Sequence, residues 1–211
     1  MAKRNTHHNG AARNGGHRKN GRARGRRMAV NAEWLRDFLS EMLAVEMGGV
    51  KLYEKALKEL AHSEFEEELT EFLHQTEHHV ELCTEMLKAA GGDEDYRSPG
   101  AEAADHKAEG LISTEVPAEL RDVNNIENLV LAETKDHWNW EMLGSVEKKI
   151  EDADLKDLVS RAVREVRKQE RAHLDWNERT LTTIAMEAAT QARPEEGMET
   201  EGTEREAMET E

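Results

Sequence analysis

The chain has 211 residues, with 45 acidic side chains against 29 Lys and Arg, a formal net charge of −16, and a single cysteine, Cys83. One cysteine excludes a disulfide within the chain, and no apolar run is long enough to span a bilayer or to act as the apolar part of a signal segment. A soluble cytoplasmic protein with one folded domain and no membrane contact is expected, because the residues after Arg26-Arg27, "MAVNAEWLRDF", carry charges where a twin-arginine export signal needs apolar side chains.

The charge falls into three zones. Residues 1–27 carry nine Lys and Arg and no acid among Gly, Asn and His, so a disordered basic tail is expected over 1–29. Subtracting these +9 from −16 leaves −25 for residues 28–211. An Arg/Gly-rich arm neutralises phosphates without reading sequence, which makes nucleic acid one expected partner. Two other readings compete: the arm folds back on the acidic body, or translation starts at Met28. At the other end "PEEGMETEGTEREAMETE" holds eight Glu and one Arg, and a disordered acidic tail is expected over 191–211. The span 30–190, rich in Leu, Ala, Glu and Lys, has the composition of a helical domain.

Four apolar stripes with alternating steps of three and four run along this span in order. The first is Leu39, Met42, Glu46, Gly49, Tyr53, Ala56 and Leu60. The second, Leu69, Phe72, Thr76, His79, Cys83, Met86 and Ala90, stops at Gly91-Gly92, a pair suited to a left-handed helix cap. The third is Ile126, Leu129, Glu133, Asp136, Trp140, Leu143 and Ile150, and the fourth is Val159, Val163, Val166, Glu170, His173, Trp176 or Asn177, and Ile184. Links at about 61–66 and 151–155 are short enough for antiparallel hairpins, whereas Gly91 to about Asn125 is long. The expectation is an all-α four-helix bundle with one long crossover.

Every stripe is interrupted near its middle by a side chain that prefers water: Glu46, His79, Glu133, Asp136, Glu170 and His173. Helices in a bundle bring mid-stripe positions to one depth, so these six should converge. Four carboxylates gathered without counter-charge repel one another and destabilise the fold. A cation removes that conflict, and an oxygen and imidazole set with no thiolate suits iron or manganese, up to two ions per chain. Asp136 is the weakest member, since beside Lys135 it could face solvent. His74, His78 and His137 flank the stripes as surface or ligand-orienting groups. Tyr53, Trp140 and Trp176 fill the bundle, with electron transfer as a second role, and Cys83 is a small core residue.

The two halves also align. Setting "LAVEMGGVKLYEKAL" on "LVLAETKDHWNWEML" places Glu46 on Glu133 and Tyr53 on Trp140. From Glu46 to His79 is 33 residues and from Glu133 to His173 is 40, and the difference of seven is about two turns, one for each arm of the second hairpin.

On these residues the span 34–186 resembles the ferritin-like superfamily, whose di-iron and di-manganese members take a Glu from two helices and a Glu-x-x-His from the other two. The segments "LAVEMGGVKLYEKAL", "QTEHHVELCTEMLKAAGGD", "DYRSP" and "NLVLAETKDHWNWEML" are similar to an uncharacterised bacterial group within it. Glu46, His79, Glu133, Glu170 and His173 match the motif, and Thr76 stands where it has a Glu. Asp136, one turn beyond Glu133, is similar in place to a second carboxylate of rubrerythrin-like members. The resemblance implies a centre reacting with dioxygen or peroxide, in oxidative stress or iron handling, with an outside electron donor and a homo-oligomer as one option. The alternative is a non-catalytic interaction or stress-associated structural protein with a degenerate site, which Thr76 favours.

Overall fold

In the computed structural model, which describes residues 29–93 and 95–190, the chain forms five helices and, among the described residues, no strand. The tails expected over 1–29 and 191–211 lie outside the described residues, apart from Ala29. Among the described residues no helix is long and apolar enough to cross a membrane.

Each helix begins and ends where local chemistry demands. Helix α1 (Ala32–Glu59) starts at Asn31, whose side chain accepts from the Trp34 amide at 3.1 Å. Helix α2 (Glu66–Ala89) has three acids in its first turn, complementing the positive end of the helix dipole. It stops at Gly91, whose φ of 85° only a residue without Cβ adopts at little cost. There the Gly91 amide donates to Lys88 O at 3.0 Å and the Gly92 amide to Leu87 O at 2.9 Å, the paired bonds of a Schellman cap. Helix α4 (Arg121–Val146) runs on into a 3-10 turn at Glu147–Lys149. Helix α5 (Ala153–Thr190) begins where Asp152 Oδ1 accepts from the Leu155 amide at 2.9 Å.

The long crossover contains a helix that the stripes did not mark, α3 (Pro99–Ser113). Ser98 caps it by accepting from the Ala101 amide, and Pro99 sits in the first turn, where a missing N–H costs nothing. Its buried face is made of Ala101 and Ala104, too small and too weakly apolar to register as a stripe.

Side-chain pairs fix the directions of the helices. Glu46 meets Trp140 and Tyr53 meets Glu133, so α1 and α4 are antiparallel. His79 meets Gln169 and Gln75 meets His173, so α2 and α5 are antiparallel as well. α1 also packs against α2, and α4 against α5, which closes a ring of four in which α2 and α4 point the same way. The chain must therefore return along the bundle between them, and α3 makes that journey on the outside of α1. Counting the 3-10 turns, Glu46 to Glu59 spans 13 residues and Ser63 to His79 spans 16. Glu133 to Lys149 spans 16 and Ala153 to His173 spans 20, so the extra turn per arm is present.

The core divides in two along the bundle. One apolar layer centres on Leu39, Met42, Met86, Leu143 and Val159, and the other on Leu52, Leu69, Phe72, Ile126 and Leu129. The six polar positions lie between these layers and are buried. Asn177, not Trp176, takes the fully buried place on the fourth stripe.

Candidate metal centre

Two neighbouring sets of ligand atoms occupy the polar layer: Glu46, His79 and Glu170, and Glu133, Glu170 and His173. Within each set the candidate atoms lie within 4.8 Å of one another. His79 Nδ1 stands 3.5 Å from Glu46 Oε2 and 3.0 Å from Glu170 Oε1. His173 Nδ1 stands 3.5 Å from Glu133 Oε2 and 3.7 Å from the same Glu170 oxygen. Glu170 thus belongs to both sets, and the two imidazoles face each other with centroids 5.9 Å apart. Asp136 is buried against this cluster but belongs to neither set. Its neighbour Lys135 turns outward to Glu41 at 2.7 Å and Asn139 at 2.6 Å.

Hydrogen bonds hold one atom of four of these groups, in a pattern with approximate two-fold symmetry. Trp140 Nε1 donates to Glu46 Oε1 at 2.7 Å, and Tyr53 OH donates to Glu133 Oε1 at 2.5 Å. Asn177 steadies the tyrosine by donating to its hydroxyl at 3.2 Å. Gln169 Oε1 lies 3.0 Å from His79 Nε2, and Gln75 Oε1 lies 2.9 Å from His173 Nε2. A carboxamide oxygen accepts, so each Nε2 carries a proton and each Nδ1 is the ring nitrogen turned to the carboxylates, free to give its lone pair to a metal once its own proton is displaced. Tyr53 and Trp140 therefore position carboxylates as well as filling the bundle. The two glutamines were missed by reasoning on stripes alone, although "QTEHH" and "QERAH" both place Gln four residues before the ligand-type His.

A second atom of each of these groups, and one each of Glu170 and Asp136, has no such partner. Glu46 Oε2, His79 Nδ1, Glu133 Oε2, Asp136 Oδ1, Glu170 Oε2 and His173 Nδ1, one atom from each of the six residues, are buried without a hydrogen bond. Leaving a buried polar group unmet costs roughly 1–3 kcal/mol, so the metal-free cluster is held at a cost to the fold. The ion-pair partners of Glu46, Glu133 and Glu170 among the described residues are His79 and His173, not Lys or Arg.

The acid–base chemistry of the metal-free cluster reflects this shortage of positive charge. Burial, then the charges of Glu170, Glu46 and Glu133, holds the Asp136 carboxyl well above the usual carboxylate range. Burial and Glu133 do the same to Glu170, against the opposing pull of His79. Burial alone would lower His79, but Glu46 and Glu170 override it and push its imidazole up to about 11. Protons thus stand in for the missing cation. A divalent ion would bring more charge to the same lone pairs, and the oxygen and imidazole donors fit iron or manganese.

Thr76, the departure from the motif, is buried beside this layer with its hydroxyl turned back to Phe72 O at 2.9 Å. Cys83 is a free, buried thiol whose chemistry is that of the core. His74 and His78 are on the surface, His78 near Glu81 and Glu165, while His137 is half-buried. Compared with known proteins, the chain matches no family model, no curated protein and no solved structure.

Proposed function

We propose that the chain is a ferritin-like metal protein whose buried layer holds two iron or manganese ions and reacts with dioxygen or peroxide in the cytoplasm. The observation that carries this reading is the set of six buried donor atoms, one per residue, left without hydrogen-bond partners in and beside the two ligand sets. Glu46 and His79 would serve one ion, Glu133 and His173 the other, and Glu170 both. Asp136, pressed against the same layer, restores the acid that Thr76 does not supply. When bound, such a pair supplies redox electrons to an oxygen species, and hard carboxylate donors favour the oxidised form.

The chain's own residues prepare that chemistry. Tyr53 and Trp140 fix which oxygen of Glu133 and of Glu46 faces inward, while Gln75 and Gln169 fix the tautomer of each imidazole. The Tyr53 hydroxyl, bridged between Glu133 and Asn177, holds a proton at Glu133 Oε1 beside the reacting volume. The apolar layers on either side exclude bulk water, which strengthens the electrostatics of the site.

A second reading is favoured by Thr76, whose hydroxyl is spent on its own helix. In it the bundle holds one ion or none and acts as a structural or interaction protein. Stopped-flow absorbance after mixing the ferrous protein with peroxide decides between them. The proposal predicts oxidation faster than that of free ferrous ion, suppressed in Glu133→Ala; a rate equal to free ion leaves the second reading.

A further inference from the structure

The outer face of α5 gathers positive charge on a chain whose formal net is −16. Arg161, Arg164, Lys168 and Arg171 follow one another at steps of three, four and three, so they share one face of the helix over about 15 Å. All four are exposed. Among the described residues the one ion pair in this row joins Arg171 to Asp175 at 3.4 Å, an exposed pair that neutralises little. The acids nearest the row are engaged elsewhere: Glu165 lies 3.5 Å from His78 of α2, Glu141 accepts from Arg167 Nε at 2.8 Å, and Glu147 accepts from Ser160. The row forms one wall of a groove between α5 and α4, which Gly144 brings together, since a Cβ there would meet Val163 Cγ1 at 3.0 Å. Trp138, from α4, lines the same groove and is 64 % exposed, more than any other large apolar side chain among the described residues.

We propose that this groove binds single-stranded nucleic acid, with phosphates along the cation row and an unpaired base stacked on Trp138. Charge selects a polyanion, because cations set side by side without counter-charge repel one another until a run of anions meets them. Lys148 lengthens the run at the end where the Val30 amide donates to Lys149 O at 3.1 Å. The chain thus enters the folded body beside the groove, and residues 1–27, just before this point, carry nine more Lys and Arg.

The indole selects among polyanions. An aromatic ring in water beside cations is a stacking platform for an unpaired base, whereas a duplex keeps its bases stacked inside and an acidic peptide or polyphosphate leaves the ring bare. The chain's own acidic end, residues 191–211, is poorly placed to compete: Thr190 lies 19 residues, or about 28 Å of helix, beyond Arg171, and Asp175, Glu178 and Glu187 of α5 repel it on the way back. The groove residues belong to neither ligand set, so the proposal stands apart from the metal reading.

Fluorescence anisotropy of a labelled oligothymidine of about twenty nucleotides, titrated with the full chain between about 50 and 200 mM salt, tests it. Saturable binding is expected, with the logarithm of affinity falling linearly in the logarithm of salt concentration by about 0.7 per phosphate contact. Arg164→Ala and Lys168→Ala should each reduce that slope by about 0.7, whereas Trp138→Ala should weaken binding about tenfold and leave the slope unchanged. All three positions are exposed, so the melting temperature should be kept. Absence of binding at the lowest salt overturns the proposal. Wild-type affinity in both Trp138→Ala and the Arg164→Ala, Lys168→Ala double variant assigns any binding to residues 1–27 and overturns the groove. Equal affinity for the duplex, or equal displacement of the oligonucleotide by polyphosphate or polyglutamate of the same charge, overturns the choice of a single strand.

Discussion

The molecule buries acids in two ways. Asp122, at the start of α4, is 6 % exposed, and both its oxygens are engaged. They accept from the Ala61 amide at 3.1 and 3.2 Å, from the His62 amide at 3.0 Å and from the His62 ring. Glu46, Glu133, Asp136 and Glu170 are buried as deeply, yet each keeps a buried oxygen without a hydrogen-bond partner. An acid buried for the fold has its lone pairs spent on donors of the same chain. Acids buried for a ligand keep lone pairs in reserve, and the rest of the protein must tolerate the cost until something fills them.

Substitution breaks the comparison most sharply. Asp122→Ala strips acceptors from two backbone amides and an imidazole, and should lower stability by about 3 kcal/mol in chemical denaturation while leaving metal content unchanged. Glu170→Gln removes a charge from a crowded, uncompensated cluster and should leave the metal-free chain as stable as wild type or more so. If both variants were equally destabilised without metal, the two kinds of acid would be one kind.

The supporting glutamines sharpen the same contrast at smaller cost. Gln75 sits on α2 but holds His173 of α5, and Gln169 sits on α5 but holds His79 of α2. Gln75→Ala should therefore weaken the ion held by His173, and Gln169→Ala the ion held by His79, each by about 10–100-fold in metal titrations. Losses confined to the ion on the mutated helix would contradict the crossed arrangement.

The smallest effect is in the pH dependence of the metal-free chain. Glu170 and Asp136 have raised folded values, so the stability their protonation lends is full below the ordinary carboxylate range and lost as pH rises through the raised values. His79 acts in the same direction: its contribution is full below 6.5 and lost as pH climbs through about 11. The metal-free melting temperature should fall by a few degrees between about pH 5 and pH 9. With metal the slope should reverse over the acidic part of that range, because ligands must shed protons to bind.

Much of this was legible in the sequence, for physical reasons that also mark where legibility ends. Glu46, His79, Glu133 and Glu170 stood out because each breaks a run of large apolar side chains at helical spacing, and the burial of all four follows that pattern. Asp136 was ambiguous because spacing alone does not say whether it shares the fate of Glu133 or of Lys135; it is buried and the lysine is not. Helix α3 escaped notice because Ala and Gly close-pack against Gly48 without adding hydrophobicity. Gln75 and Gln169 escaped because a glutamine on a charged helix is ordinary until its partner across the bundle is known. Asp122 reads as a first-turn acid, and only the fold brings the Ala61–His62 link over it.

Metal content per chain, measured by elemental analysis after anaerobic reconstitution with ferrous or manganous ion and removal of excess, tests the central claim most directly. The account predicts about two ions per wild-type chain with a rise in melting temperature, and loss of both ions in Glu170→Gln, because that residue serves both sets. Less than about 0.2 ion per chain for either metal, with no thermal shift, would contradict it.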